Sequence, residues 1–512
     1  MRLPFPERLP LWPVFFSSVA LCVIQQTEGT TLLFSLCSFA FIMIATLAFN
    51  VAGGMTRPAG GFIFGYAVLA VIVGLVYKAL VGERGQSNLL QPERTLEVFV
   101  GGIFSMLVAA YVARRLALKQ SLFEKFSHRL DPELGRSATS CLILGGAFIS
   151  YTYYVAKPPA PGSLLSLLSI FAGFPALALV LGVTAQIRKS GGTRSINLTV
   201  ILAGSIIFFT GLIGFSKEAL FTPVVCWLIA AAAQRYKVSI LHIGGLVLFA
   251  SFSLYYLVPY SQYGRNFNNP ANSFRQKVET SAILLSNLGL VRKLFYQTAT
   301  EVISDSAGNH YYDKPAGLFD RLQMITPDDA IVDLTENGVV FGFLPTIVDI
   351  ENLVPHLLWR DKPAANFGNI YAHELGILAE DDDSTGISFS PSGDAYHQGK
   401  WIGVLVLLPA LLVVLFWTSN SIVGDPRKCP VGLVTLVIFS HLAPEGGIGG
   451  IIGSSWWGSV QYIAVFFFVT YLLPPTINLL QGPLRHGIDQ NVVIAPKHRR
   501  PLRVRTVENT VE

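Results

Sequence analysis

The chain has 512 residues, 52% of them hydrophobic and 13% charged, with a mean hydropathy of +0.51 and a formal net charge of +5. Soluble domains carry about 25% charged residues, so roughly half of the usual solvating side chains are missing. Disorder, collagen-like repeats and a disulfide scaffold are excluded, and apolar stretches of about 17–25 residues recur, each long enough to cross a bilayer's hydrocarbon core as a helix. The fold class this implies is an all-α polytopic integral membrane protein. In such a chain basic residues are placed by topology first, so the positive balance is no nucleic-acid footprint.

In chain order, about twelve spans are predicted, at 12–26, 31–50, 61–81, 96–113, 138–156, 164–186, 196–214, 217–233, 238–258, 401–418, 430–443 and 458–480. The segment from Met1 to Gln26 lacks a small-x-small cleavage site and reads as an uncleaved first span. This gives an N-terminal membrane bundle of about nine spans (1–258), a large hydrophilic loop (259–400), a C-terminal bundle of about three spans (401–480) and a basic tail (481–512). Apolar residues at helical spacing, broken by Gly-Asn and Lys-Pro pairs, predict short helices within the loop. Basic residues concentrate before the first span and after every even one: Arg2, Arg8, Arg57, Arg114, Arg115, Arg188, Lys189, Arg235, Lys237, Arg427, Lys428 and the tail from Arg485. The intervening short loops hold only Arg84, Arg94, Lys157 and Lys217, with Lys78 at a span end. That asymmetry predicts cytoplasmic termini and an external loop at 259–400.

Residues able to carry chemistry crowd the two ends of this loop, each of which runs directly into a span. The first end carries Arg265. The second carries Val354-Pro-His-Leu-Leu-Trp-Arg-Asp-Lys-Pro363, then His373-Glu374, then Ser388-Phe-Ser-Pro-Ser-Gly-Asp394-Ala-Tyr-His397-Gln-Gly399. Cations held at a membrane boundary suit the phosphates of a lipid carrier, Arg as a bidentate fork and Lys as a mobile point charge. Interfacial anchoring suits Trp359 and Arg360 equally. Lys217 and Glu218 lie in a tight connection between two short spans, either as a functional pair or as a surface ion pair. His373, Glu374, Asp394 and His397 are candidate general bases or hydrogen-bonded structural groups. Glu380-Asp-Asp-Asp383 lacks the alternation of a calcium loop and reads as a solvated turn. Gly446–Gly453 lacks the Lys-Ser/Thr end of a phosphate loop and reads as a flexible turn or a close helix contact beside Glu445.

The order Val-Pro-x-x-x-Trp-x-Asp-Lys-Pro (Val354–Pro363), Phe367-Gly-Asn, and Ser-x-Ser-Gly-Asp-Ala-Tyr-x-x-Gly (Ser390–Gly399), with Gly214-Phe-Ser-Lys-Glu-Ala-Leu upstream, resembles the O-antigen polymerases, the Wzy-type oligosaccharide repeat-unit polymerases. His356, Lys217 and Asp394 stand where that family more often has Arg, Arg and Glu. The resemblance implies a GT-C-like fold in a bacterial inner membrane, with the large loop periplasmic. It also implies glycosyl transfer between two undecaprenyl-pyrophosphate-linked oligosaccharides without a cofactor, and a possible chain-length regulator as partner. Arg265, Arg360 and Lys217, then Arg321 and Lys362, are the pyrophosphate contacts expected on this reading. Asp394 is the expected base, with His373 second. An O-antigen ligase and a lipid-linked glycan transporter are the alternatives.

Overall fold

A computed structural model describes residues 1–127, 130, 133–155, 168–268, 272–305, 310–356, 358–359, 362–363, 366–378, 381 and 385–475. The basic tail and most of the Glu380–Asp383 run lie outside them. Among the described residues there is no strand, only an isolated bridge between Arg2 and Lys237. The first nine apolar helices are α1 (Leu11–Thr27), α2 (Leu32–Ala52), α3 (Pro58–Leu80), α4 (Pro92–Leu116), α5 (Leu134–Val155), α6 (Ser169–Lys189), α7 (Leu198–Ile213), α8 (Lys217–Ala233) and α9 (Ile240–Phe267). Five shorter helices follow in the hydrophilic loop: α10 (Phe274–Ser286), α11 (Leu288–Asp305), α12 (Ile325–Glu336), α13 (Leu344–Glu351) and α14 (Phe367–Glu374). The chain re-enters the bundle with α15 (Pro391–Ile422), α16 (Pro430–Glu445) and α17 (Gly447–Pro475). Seven of these, α2, α3, α4, α6, α9, α15 and α17, are long and apolar enough to cross a membrane. The protein is thus a polytopic α-helical membrane protein.

Helix starts follow local chemistry. Thr31, Asn197 and Ser216 each accept a hydrogen bond from the backbone amide three residues on, at 3.4, 2.9 and 3.3 Å, satisfying donors that the helix itself cannot. Pro259 does not end α9. It follows a wide π-type turn at Ser253–Leu257 and sits in the first turn after it, where its missing N–H interrupts no regular ladder. α15 begins before the predicted tenth span and is broken at Gly399–Lys400, where Lys400 takes φ +48°.

Two large apolar cores result among the described residues, beside two small clusters. One joins α2, α3, α4 and α15 to Tyr311, Tyr312, Met324 and Ile325 of the loop. The other joins α5, α6, α7 and α8. α16 and α17 stitch them: Phe439 and Ile448 belong to the first, Leu433 and Phe466 to the second. The turn between α16 and α17 therefore sits at the junction of the two cores. α9 is peripheral, with 11% of its apolar window buried against 67% for α3, and only its last turns pack inward.

The loops sort to two ends, as the distribution of basic residues predicts. At one end the N-terminal segment pairs with the α8–α9 connection (Leu3 N to Tyr236 O, 3.0 Å) and with the α2–α3 connection (Met55 N to Pro6 O, 2.9 Å). Arg427 reaches Glu7 at the same end, and Lys428 reaches Glu124. At the other end the α3–α4 connection holds the hydrophilic loop. The Asp329 carboxylate accepts from Leu90 N, Gln91 N and Thr95 Oγ1 at 2.6, 3.0 and 2.8 Å. The buried Lys78 ammonium donates to the Tyr311 carbonyl at 2.6 Å.

Candidate functional site: a cationic corner beside a carboxylate pair

Lys217 opens α8 immediately after the α7–α8 connection, in which Phe215 takes φ +50°. The end of α9 clamps this turn. Tyr260 Oη donates to Leu212 O at 2.9 Å and Ser261 Oγ donates to Phe215 O at 2.7 Å. Gly264 lies against the Phe215 ring so closely that a Cβ there would fall 2.1 Å from a ring carbon. Glycine is required at 264 by this contact, and it delivers the next residue, Arg265, beside Lys217. Arg321 arrives from the loop segment over the end of α3, which is pinned by Met324 N on Ala70 O (2.9 Å) and by stacking of Phe319 on Tyr77 (4.1 Å between centroids).

Three of the five expected phosphate contacts are thus brought together from distant parts of the chain. Lys217 feels the positive charge of both Arg321 and Arg265, and Arg265 feels that of Arg321. Glu445, at the end of α16, is the carboxylate that acts on both Lys217 and Arg265, and Asp320 acts on Lys217. Burial raises the Asp320 carboxyl to about 6 against hydrogen bonds from the Ala316 and Gly317 amides and the nearby cations. Among the described residues, no hydrogen bond or ion pair engages the side chains of Lys217, Arg265 or Arg321. Glu445 is instead 3.7 Å from His441 Nδ1, whose Nε2 lies 3.5 Å from Glu218. Like charges held together without partners are unfavourable, which marks the corner as a place for an anion.

Two residues past Glu445 the chain meets Asp394. Ile448 N donates to Asp394 Oδ2 at 2.8 Å, and a Cβ on Gly447 (φ +56°) would fall 2.8 Å from the same oxygen. Two residues of backbone span at most about 7 Å, so Glu445, whose charge acts on Lys217 and Arg265, and the Asp394 carboxylate flank one turn. Gln398 Nε2 and Tyr371 Oη donate to Asp394 Oδ1 at 2.8 and 3.3 Å. The Ser-Pro-Ser-Gly motif holds this aspartate in place. Ser390 caps the first turn of α15 and donates both N–H (2.9 Å) and Oγ–H to the buried Asp328, while Tyr66 and Ser392 share a hydrogen bond. A Cβ on Gly393 would meet the Asp328 carboxyl at 2.5 Å. Burial pushes the Asp328 carboxyl up to about 7 despite its Ser390 donors.

The remaining expected residues lie elsewhere or are engaged. Lys362 donates to the carbonyls of Asn352 and Val354, both at 2.9 Å, and so closes the turn after α13. α14 turns Tyr371 onto Asp394; His373, two residues on, projects about 200° around the helix. Arg360 lies outside the described residues. The Gly446–Gly453 stretch is helical from Gly447, and its close-contact reading holds: Gly449 abuts Asp349 of α13 and Gly450 abuts Leu442. Sequence reasoning missed Glu445, Asp349, Tyr371 and Asp328. The available signal was an acid at a span end in the first case and, for Asp328, an acidic pair opening a short helix; Asp349 and Tyr371 carried none.

Comparisons of the chain with family models, with curated proteins and with solved structures give no match.

Proposed function

We propose that the protein is a membrane glycosyltransferase that polymerises undecaprenyl-pyrophosphate-linked oligosaccharide repeat units into O-antigen or a related surface polysaccharide. The chain would cross the bacterial inner membrane twelve times, with both termini and the basic loops in the cytoplasm and 259–400 in the periplasm. The observation that carries this reading is the corner of Lys217, Arg265 and Arg321, three cations at helix ends without an ion-pair partner among the described residues, beside the charge of Glu445. The acceptor hydroxyl attacks the anomeric carbon of the donor glycan, forming a new C–O bond. The bond from that carbon to the pyrophosphate oxygen breaks, and undecaprenyl pyrophosphate departs with the electron pair. The cations stabilise the charge that develops on the leaving group, the contribution expected to dominate. The hydroxyl proton passes to a carboxylate beside Gly447–Gly449. No cofactor takes part, because the leaving group is already activated. The substrates come from the lipid phase, so the partners are the bilayer and the lipid-linked glycans, with a chain-length regulator as a further one.

Deletion of the gene in its native host tests this. Single repeat units on the surface with the long ladder gone support polymerisation. Long glycan stranded on the carrier indicates a ligase instead. Unchanged glycan pools on the surface and on the carrier overturn the glycan assignment.

A further inference from the structure

The buried aspartates at this end of the bundle are each accounted for by donors, whereas a half-buried neighbour is not. Asp328 has Ser390, Asp329 has two backbone amides and Thr95, and Asp394 has three donors. Asp349, half-buried on α13, has none: among the described residues no group donates to either oxygen. Neither oxygen is among the fully buried, unpartnered atoms of the described residues, so the carboxylate keeps contact with water and stands open to a ligand. Its position is nevertheless fixed. Thr346, one turn earlier on α13, donates to Gln398 Oε1 at 2.6 Å, and Gln398 in turn donates to Asp394. The Asp349 Oδ2 atom lies 2.8 Å from where a Cβ on Gly449 would stand, so glycine leaves room for it against α17. The two carboxylates therefore border the same turns of α17, Asp394 at Gly447 and Asp349 at Gly449. Burial, followed by the charge of Asp394, pushes the Asp349 carboxyl up to about 7, the range in which a general base works best at neutral pH.

We infer that Asp349 accepts the proton of the attacking hydroxyl, and that Asp394 is a positioning residue that anchors α17 and holds its charge beside Asp349. This rests on the glycosyl-transfer reading above. In the step, the acceptor O–H bond breaks as the O–C bond to the donor sugar forms. The proton ends on an Asp349 oxygen, and the electron pair of the broken sugar–pyrophosphate bond leaves with the carrier. The unpartnered carboxylate is free to take that proton, whereas every Asp394 oxygen already accepts a hydrogen bond.

The test uses full-length protein in liposomes, supplied with undecaprenyl-pyrophosphate-linked repeat units isolated from the deletion strain, with rates followed from pH 5 to pH 9. Asp349→Asn should lower kcat by about 10²–10⁴-fold with little change in KM. It should also remove the acid limb, whose wild-type midpoint lies near 7, and Asp349→Glu should restore part of the rate. The thermal midpoint of Asp349→Asn should not fall below wild type, because no hydrogen bond is lost. Near-normal kcat in Asp349→Asn, or an acid limb that survives the substitution, overturns the assignment. If Arg265→Ala loses the activity expected of it while Asp349→Asn works, only the base falls and the glycosyl-transfer reading stands. If wild-type protein forms no polymer and deletion leaves both glycan pools unchanged, the reading falls and the base falls with it.

Discussion

Basic side chains collect at both ends of the bundle, and one group at each end is treated in the opposite way. At the end that carries the N-terminus, Arg427, Lys428 and Arg114 are spent on the protein itself. Arg427 Nη2 meets Asp425 and its Nη1 meets Glu7, both at 2.7 Å; Lys428 meets Glu124 at 3.4 Å; Arg114 donates to Val51 O at 3.1 Å. At the opposite end Lys217, Arg265 and Arg321 feel one another's charge, and the acid that acts on two of them, Glu445, lies 3.7 Å from His441 Nδ1. Topology explains the first set, since basic loops mark one side of a membrane protein. It does not explain the second, where charges that could have been paired are left open. The difference separates cations that hold loops together from cations that wait for a ligand.

Between these two groups of cations, the largest expected effect comes from the open set. Arg265→Ala and Arg321→Ala should each reduce polymer formation by about 10- to 100-fold, the loss of one charge-assisted contact of about 1.5–3 kcal/mol, with unchanged thermal midpoints. Glycan ladders and a melting curve read both. Next is Arg427→Ala, which strips a partly buried aspartate of several donors. It should cost about 1–3 kcal/mol of stability and lower the thermal midpoint, while each folded molecule retains full activity. Stability should also depend on pH through the carboxylates of the open end. Asp320 and Asp349 are raised from the ordinary 3.8 to about 6 and about 7. The unfolded chain therefore gives up these protons first, and their contribution to stability is present below about pH 4 and lost as pH rises toward 7. Melting curves across that range should fall with pH, and Asp349→Asn should flatten the slope. The smallest effect belongs to Lys428→Ala, whose exposed ammonium meets Glu124 at 3.4 Å and for which less than about 1 kcal/mol is expected. A large activity loss there would erase the distinction between the two ends.

Much of this contrast is legible in the amino-acid sequence alone. The apolar segments and the sorting of loops to two ends follow from hydropathy and from Lys and Arg spacing, which are properties of the chain read in one dimension. Lys217 and Arg265 are legible because both stand at span ends. Asp349 is not, because its distinction lies in lacking a donor, and that depends on where Thr346, Gln398 and Gly449 come to rest. Asp394 stands out in sequence as a candidate site residue, but its three donors come from α14, α15 and α17, and no spacing rule links Tyr371 and Ile448 to it. Lys362 looks like a free cation in sequence, and only the folded turn after α13 engages it with two carbonyls.

The most direct test of the open corner is a binding measurement. Purified protein in detergent would be melted with and without undecaprenyl pyrophosphate, beside the Arg265→Ala/Arg321→Ala double variant and Arg427→Ala. A ligand at about 100 times its Kd stabilises the folded state by about 2.7 kcal/mol. The thermal midpoint should therefore rise in wild type and in Arg427→Ala, and stay fixed in the double variant. An equal rise in the double variant, or none in wild type, would contradict the assignment of these cations to a lipid pyrophosphate.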